Sequence, residues 1–96
     1  MNMQNAGVYR NIAGAATTVV KSGVGTLDRI VFNKTVAAGV ITIYDNTAAS
    51  GTKIATITNP AVTLLQSYLQ LEYACTFNIG LTIVTSAADD ITVVYT

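Results

Sequence analysis

The chain has 96 residues, of which 51% are apolar and 10% charged, and five Lys/Arg balance five Asp/Glu at a formal net charge of zero. That length makes one domain, and a single core is within reach, because ~100 residues bury roughly two thirds of the surface their unfolded chain exposes. With no His and one Cys, the chain lacks the commonest general base and metal ligand, a disulfide framework and a cysteine-rich metal site.

Charge and hydropathy also bear on partners. Arg10, Lys21, Arg29, Lys34 and Lys53 are scattered, with no basic run and no Trp, which argues against a phosphate-neutralising nucleic-acid surface. The N-terminal residues lack the charged flank and apolar core of a signal peptide, and no apolar stretch approaches the ~20 residues of a membrane-spanning helix. The expectation is a chain made in a cytosol and kept there until it is assembled into something. Its charged fraction is well below the ~25% of average proteins, and a neutral, charge-poor surface promotes association. Much of the surface is therefore expected to meet a partner.

In chain order, Ala16–Val20, Leu27–Asn33, Val40–Tyr44, Lys53–Ile57, Tyr68–Phe77, Leu81–Thr85 and Ile91–Tyr95 are Thr/Val/Ile-rich runs bounded by turn residues. That predicts seven short strands, or eight if Val8–Ile12 forms one. Between Tyr68 and Phe77 the odd positions Leu69, Leu71, Tyr73, Cys75 and Phe77 are apolar, so one face of that strand is expected to be buried. Pro60–Leu65 reads as a short bridge between sheets. Turn clusters at 22–25, 38–39, 45–51, 58–60, 78–80 and 86–90 fall at the spacing of an all-β protein. The expectation is one antiparallel β-sandwich, jelly-roll or Ig-like, of about seven or eight short strands over residues 1–96. Residues 1–8 read either as an arm that orders on a neighbour or as a frayed terminus. Ile41–Tyr44 with Ile54–Ile57, and Leu81–Val84 with Ile91–Val94, echo one another and read as two hairpins with an Ala-Ala pair in each turn region.

Candidate chemistry is sparse. Asp45, Asn46, Thr47, Ser50 and Gly51 offer oxygens and a glycine, as a calcium loop does, but the loop has one carboxylate and two alanines where ligands would be needed. Asx residues and Gly are also what a turn requires, and the turn reading is the stronger. Asp89-Asp90 could form an acid–base or metal pair, yet adjacent strand residues point to opposite faces, so solvated turn residues are expected. Ser22, Ser50, Ser67 and Ser86 have no His partner, and Ser22-Gly-Val-Gly25 lacks the Lys of a phosphate loop. Cys75 reads as a small buried hydrophobe rather than a reactive thiol. The reading is a non-enzyme with no cofactor and no metal.

Tyr9, Tyr44, Tyr68, Tyr73 and Tyr95 could stack on a sugar, but tyrosines spread over separate strands are more often core edges or interface anchors. Interface use fits the low charge best. The candidate interface residues are Tyr9, Tyr44, Asp45, Leu65 and Tyr68.

Residues 24–96 also carry a recognisable pattern. Gly25-Thr-Leu-Asp-Arg-Ile30, Ile41-Thr-Ile-Tyr-Asp45, Ser50-Gly-Thr52, Gly80-Leu-Thr-Ile-Val-Thr-Ser86 and Ile91-Thr-Val-Val-Tyr95 together resemble a class of small proteins encoded by tailed phages. That resemblance implies a β-sandwich of the virion that cements or decorates the capsid, commonly as a homotrimer, with the major capsid protein as its partner. It carries no catalytic motif. The chain departs from the pattern at Thr63–Ala74, where Leu64, Leu65, Gln66 and Ser67 are its own. The alternatives are a tail, neck or fibre component of the virion and, from another class, a small carbohydrate-binding module using the tyrosines and the 45–51 loop. A small hydrolase is remote.

Overall fold

The computed structural model describes residues 7–59 and 69–96. It contains eight strands: β1 Val8–Ala13, β2 Ala16–Ser22, β3 Gly25–Lys34, β4 Val40–Asp45, β5 Thr52–Thr58, β6 Leu69–Phe77, β7 Gly80–Thr85 and β8 Asp90–Tyr95. The eighth strand at Val8 is thus present, and it begins inside the segment expected as an arm. Residues 1–6 of that segment lie outside the described residues, as does the bridge expected at Pro60–Leu65.

Two antiparallel four-stranded sheets form, ordered β1-β8-β3-β6 and β2-β7-β4-β5. All pairings are antiparallel, and β1 with β8, β2 with β7, β3 with β6 and β4 with β5 form one nested series. Such an order arises when one long antiparallel ribbon, with its tip at the β4–β5 hairpin, is wound on itself so that β8 meets β3 and β7 meets β4. That is the eight-stranded jelly roll. An Ig-like sandwich would pair the first two strands within one sheet, and here β1 and β2 lie in different sheets.

One expectation fails on this topology. Ile41–Tyr44 and Ile54–Ile57 do form a hairpin, but β7 and β8 do not, because they belong to opposite sheets. The 86–89 connection is drawn across the sandwich: Ser86 donates its amide to Val40 O at 2.9 Å, and Asp89 is buried between other connections.

The core follows from period-two alternation. Leu27, Ile30, Phe32, Phe77, Ile91 and Val93 from the first sheet face Ile41, Ile43, Leu81 and Ile83 from the second, all within 1% of full burial. Each such side chain contributes roughly 1.5–3 kcal/mol by leaving water. Ile12 and Val20 close the β1/β2 side, while half-buried Ile54, Ile57, Leu71, Tyr73 and Cys75 pack along the β5/β6 side. β6 keeps the expected alternation over its described side chains, odd positions turned in and even ones out.

Strand direction sorts the connections into two ends. Residues 14–15, 35–39, 59 and 86–89 gather at one end, and residues 23–24, 46–51, 78–79 and Thr96 at the other.

Candidate functional site

At the first end, a polar nest is built around Asp89, which is 0% exposed. Its Oδ1 accepts the Val36 amide at 2.7 Å and the Asn59 side-chain amide at 2.9 Å. Asn59, also buried, gives its other side-chain proton to Val36 O at 3.0 Å and its main-chain amide to Gly39 O at 2.8 Å. The Asp89 carbonyl accepts the Gly14 amide at 3.0 Å. Among the described residues Asp89 Oδ2 has no hydrogen-bond partner. The expectation that Asp89 is a solvated turn residue is therefore overturned, because the Val36 main-chain amide and the Asn59 side-chain amide take the place of water at Oδ1. Asp89 and Asp90 diverge, as adjacent residues entering a strand should. Asp90 lies on the outer face of the first sheet, held by Asn11 at 2.7 Å and Asn33 at 3.1 Å. Those two amides, helped by Lys34, hold its carboxyl below the usual range.

At the opposite end Asp45 works within the chain. Its carboxylate accepts the amides of Asn78 and Ile79 at 2.9 Å each, clamping the connection between β6 and β7. The Ile79 and Asn78 amides, in that order, hold its pKa below the usual carboxylate range. The 46–51 loop is tied to itself and to β7: Asn46 donates to Ser50 O at 2.7 Å, and Thr82 Oγ1 donates to Asn46 O at 2.7 Å. Gly51 sits at φ 84°, where a side chain would be strained. Asp45–Gly51 is a braced turn, as the stronger of its two sequence readings has it. Among the described residues no three Cys, Asp or Glu side chains converge on a common point.

The two outer faces differ in kind. Across the first sheet run the rows Tyr9–Val94–Arg29–Glu72 and Asn11–Thr92–Val31–Gln70, with Asp90 and Asn33 beyond them. Asn33 also reaches Thr92 Oγ1 at 2.9 Å, so much of this face is a polar network satisfied within itself. Across the second sheet run Val19–Thr82–Tyr44–Lys53 and Thr17–Val84–Thr42–Thr56, in which Lys53 is the single charge. On this second face Thr17, Val19, Lys53 and Thr56 are exposed and Thr42, Tyr44 and Val84 half-buried, while Thr82 is buried under Asn46.

Of the sequence candidates, Tyr9 stands on the first face at 75% exposure, and half-buried Tyr44 stands on the second. Tyr73 and Tyr95 pack against the core. The described tyrosines are therefore not brought together, and Leu65 and Tyr68 lie outside the described residues. Cys75 is half-buried against the core, and burial is the chief cause that pushes its thiol up. Sequence reasoning missed the Asp89–Asn59 nest, because an isolated Asp before a strand carries the same signal as a turn residue. It also missed the contrast between faces, which needs the strand order.

No protein-family model matches the chain, and no curated protein or solved structure matches it either.

Proposed function

We propose that this protein is a structural component of a tailed-phage virion, one that decorates or cements the capsid by binding between subunits of the major capsid protein. The observation that carries the reading is the contrast between the two faces. The second sheet presents one charge along its two central rows, while much of the first is a polar network bonded within itself. A charge-poor face of β-branched side chains suits packing on another protein, where desolvation costs little and no ligand needs to be enclosed. The jelly roll supports the reading only as an analogy, since it builds viral capsid proteins and lectins alike. Tyr9 and Tyr44 on opposite faces give the carbohydrate reading no joint stacking platform.

On this reading the protein binds the assembled shell and not its free subunits, and stabilises the shell by mass action. The trimer that the resemblance implies would multiply that contact by matching the symmetry of the lattice. The test is to add purified protein to expanded, undecorated shells and to isolated tails. Saturable binding to shells, with a raised shell melting temperature, is the expected result. Binding to tails alone would replace it with the tail or fibre reading, and binding to neither would end both.

A further inference from the structure

Each sheet has two outer strands, and the four are not alike. β2 carries an extra residue, Val20, where it pairs with β7, and Lys21 follows at once. β5 carries Ile54 as an extra residue against β4, beside Lys53. β6 sets Tyr73 and Ala74 against the single Asp28 of β3, with Ala74 at φ 48°. A bulge on an edge strand breaks the row of N–H and C=O groups that an incoming strand needs, and natural sheets use bulges and lysines to blunt their edges. β1 has no bulge and no lysine, and its one charged residue is Arg10. It pairs with β8 from Val8↔Tyr95 to Ala13↔Asp90 with no register shift, and Val8 and Tyr9 are 52% and 75% exposed.

We propose that the outer edge of β1 is a self-pairing edge: β1 of a second copy adds to it antiparallel, across a two-fold axis, joining two four-stranded sheets into one continuous sheet. The sequence of β1 selects that occupant. A two-fold axis normal to the sheet keeps outward side chains outward, so opposed residues must share a face. Centring the axis on Arg10 would set like charges opposite each other, which destabilises a ladder. Centring it on Asn11 sets Tyr9 against Ala13 and Arg10 against Ile12 of the second copy. The large exposed ring then covers a methyl group, and no like charges meet. Asn11 already turns its amide to Asp90 and Ile91 O on β8, so among the described residues its side chain does not occupy the edge.

This inference is independent of the shell reading. A trimer closes around a three-fold axis by heterologous contacts, whereas the β1 edge is isologous and links copies in pairs, within solution dimers or between neighbouring trimers. The experiment is amide exchange by NMR over residues 8–13 at rising protein concentration, paired with an Asn11→Cys variant in a Cys75→Ser background under mild oxidation. The β1 amides turned away from β8 should exchange at least about tenfold more slowly at high concentration. Asn11→Cys should yield a disulfide-linked pair, while Gln70→Cys on β6 should not. A chain that stays monomeric, or that associates while those amides exchange at one rate throughout, overturns the proposal. So does protection that appears only on adding shells to monomeric protein, because the edge would then belong to the shell protein.

Discussion

Asn59 donates its side-chain amide to Asp89 Oδ1 across 2.9 Å, and this buried bond ties the end of β5 to the connection between β7 and β8. Through Val36, which gives its amide to the same oxygen, the connection between β3 and β4 is held as well. Three chain crossings between sheets or strands thus depend on one carboxylate. Within a buried polar group of this kind, satisfied bonds contribute modestly, whereas an orphaned donor is costly.

The first prediction follows from that asymmetry. Asp89→Ala leaves the Val36 amide and one Asn59 proton without an acceptor, and should cost about 2–6 kcal/mol at ~1–3 kcal/mol per stranded group. Asn59→Ala should cost less, since Val36 keeps its bond to Asp89. The double variant should cost less than the sum, because the two residues share one bond. Urea unfolding of the four proteins measures all three values, and strict additivity would show that the pair does not act as a unit.

A second prediction concerns backbone strain. Gly39 donates to Val36 O at 3.0 Å around Ala38 at φ 61°, so residues 36–39 form a turn whose third residue favours Gly. Ala38→Gly should stabilise the fold by about 0.5–1 kcal/mol, the left-handed penalty outweighing the added freedom of the unfolded chain. Gly39→Ala should do the reverse. Its new Cβ would stand 3.0 Å from Asp89 Oδ2 and 3.2 Å from Ala87 Cβ, among groups fixed by the nest. A loss of about 1–3 kcal/mol is expected from such overpacking. Thermal unfolding of the two variants in parallel gives opposite shifts if the turn is strained as described.

These residues also show what the sequence makes legible. Val40–Tyr44 and Ile91–Tyr95 reveal themselves as strands because alternation is local and each contains its own period. The pairing of β3 with both β6 and β8 is a long-range property, and no local pattern encodes it. The same limit explains the false hairpin at Leu81–Val94: two strands and a short polar turn look alike whether the second strand stays in the sheet or crosses over. Asp45 was readable as a turn residue, but its role in bracing Asn78 and Ile79 depends on a partner more than thirty positions away. Tyr9 and Tyr44 read from the sequence as candidate interface residues, whereas their separation onto opposite faces needs the strand order.

The third prediction is an acid transition. Main-chain amides of Ile79 and Asn78 lower the folded pKa of Asp45, and the Asn11 and Asn33 amides do the same for Asp90. Both pKa values lie below the ~3.9 of an unfolded Asp. Their contribution to stability is therefore complete above the unfolded value and lost as pH falls through the folded one. Urea midpoints recorded between about pH 2 and pH 5 should decline toward acid. Asp45→Asn should make that decline shallower while lowering the midpoint at neutral pH. An unchanged acid slope in the variant would remove Asp45 from this role.

The last prediction addresses the two faces. Thr56 is exposed on β5 in the row with Thr42 and Val84, and Gln70 is exposed on β6 across the other sheet. Exposed substitutions at either site should change stability by no more than about 0.5 kcal/mol, so both variants should fold. If the second face packs on the shell, Thr56→Glu buries an uncompensated charge at the contact and should weaken binding by at least about tenfold. Gln70→Glu adds the same charge to the polar face and should bind as the parent does. Sedimentation of each variant with expanded shells reads the difference directly. Equal weakening by both would point to a general charge effect, and loss only with Gln70→Glu would turn the molecule over, placing its first sheet against the shell.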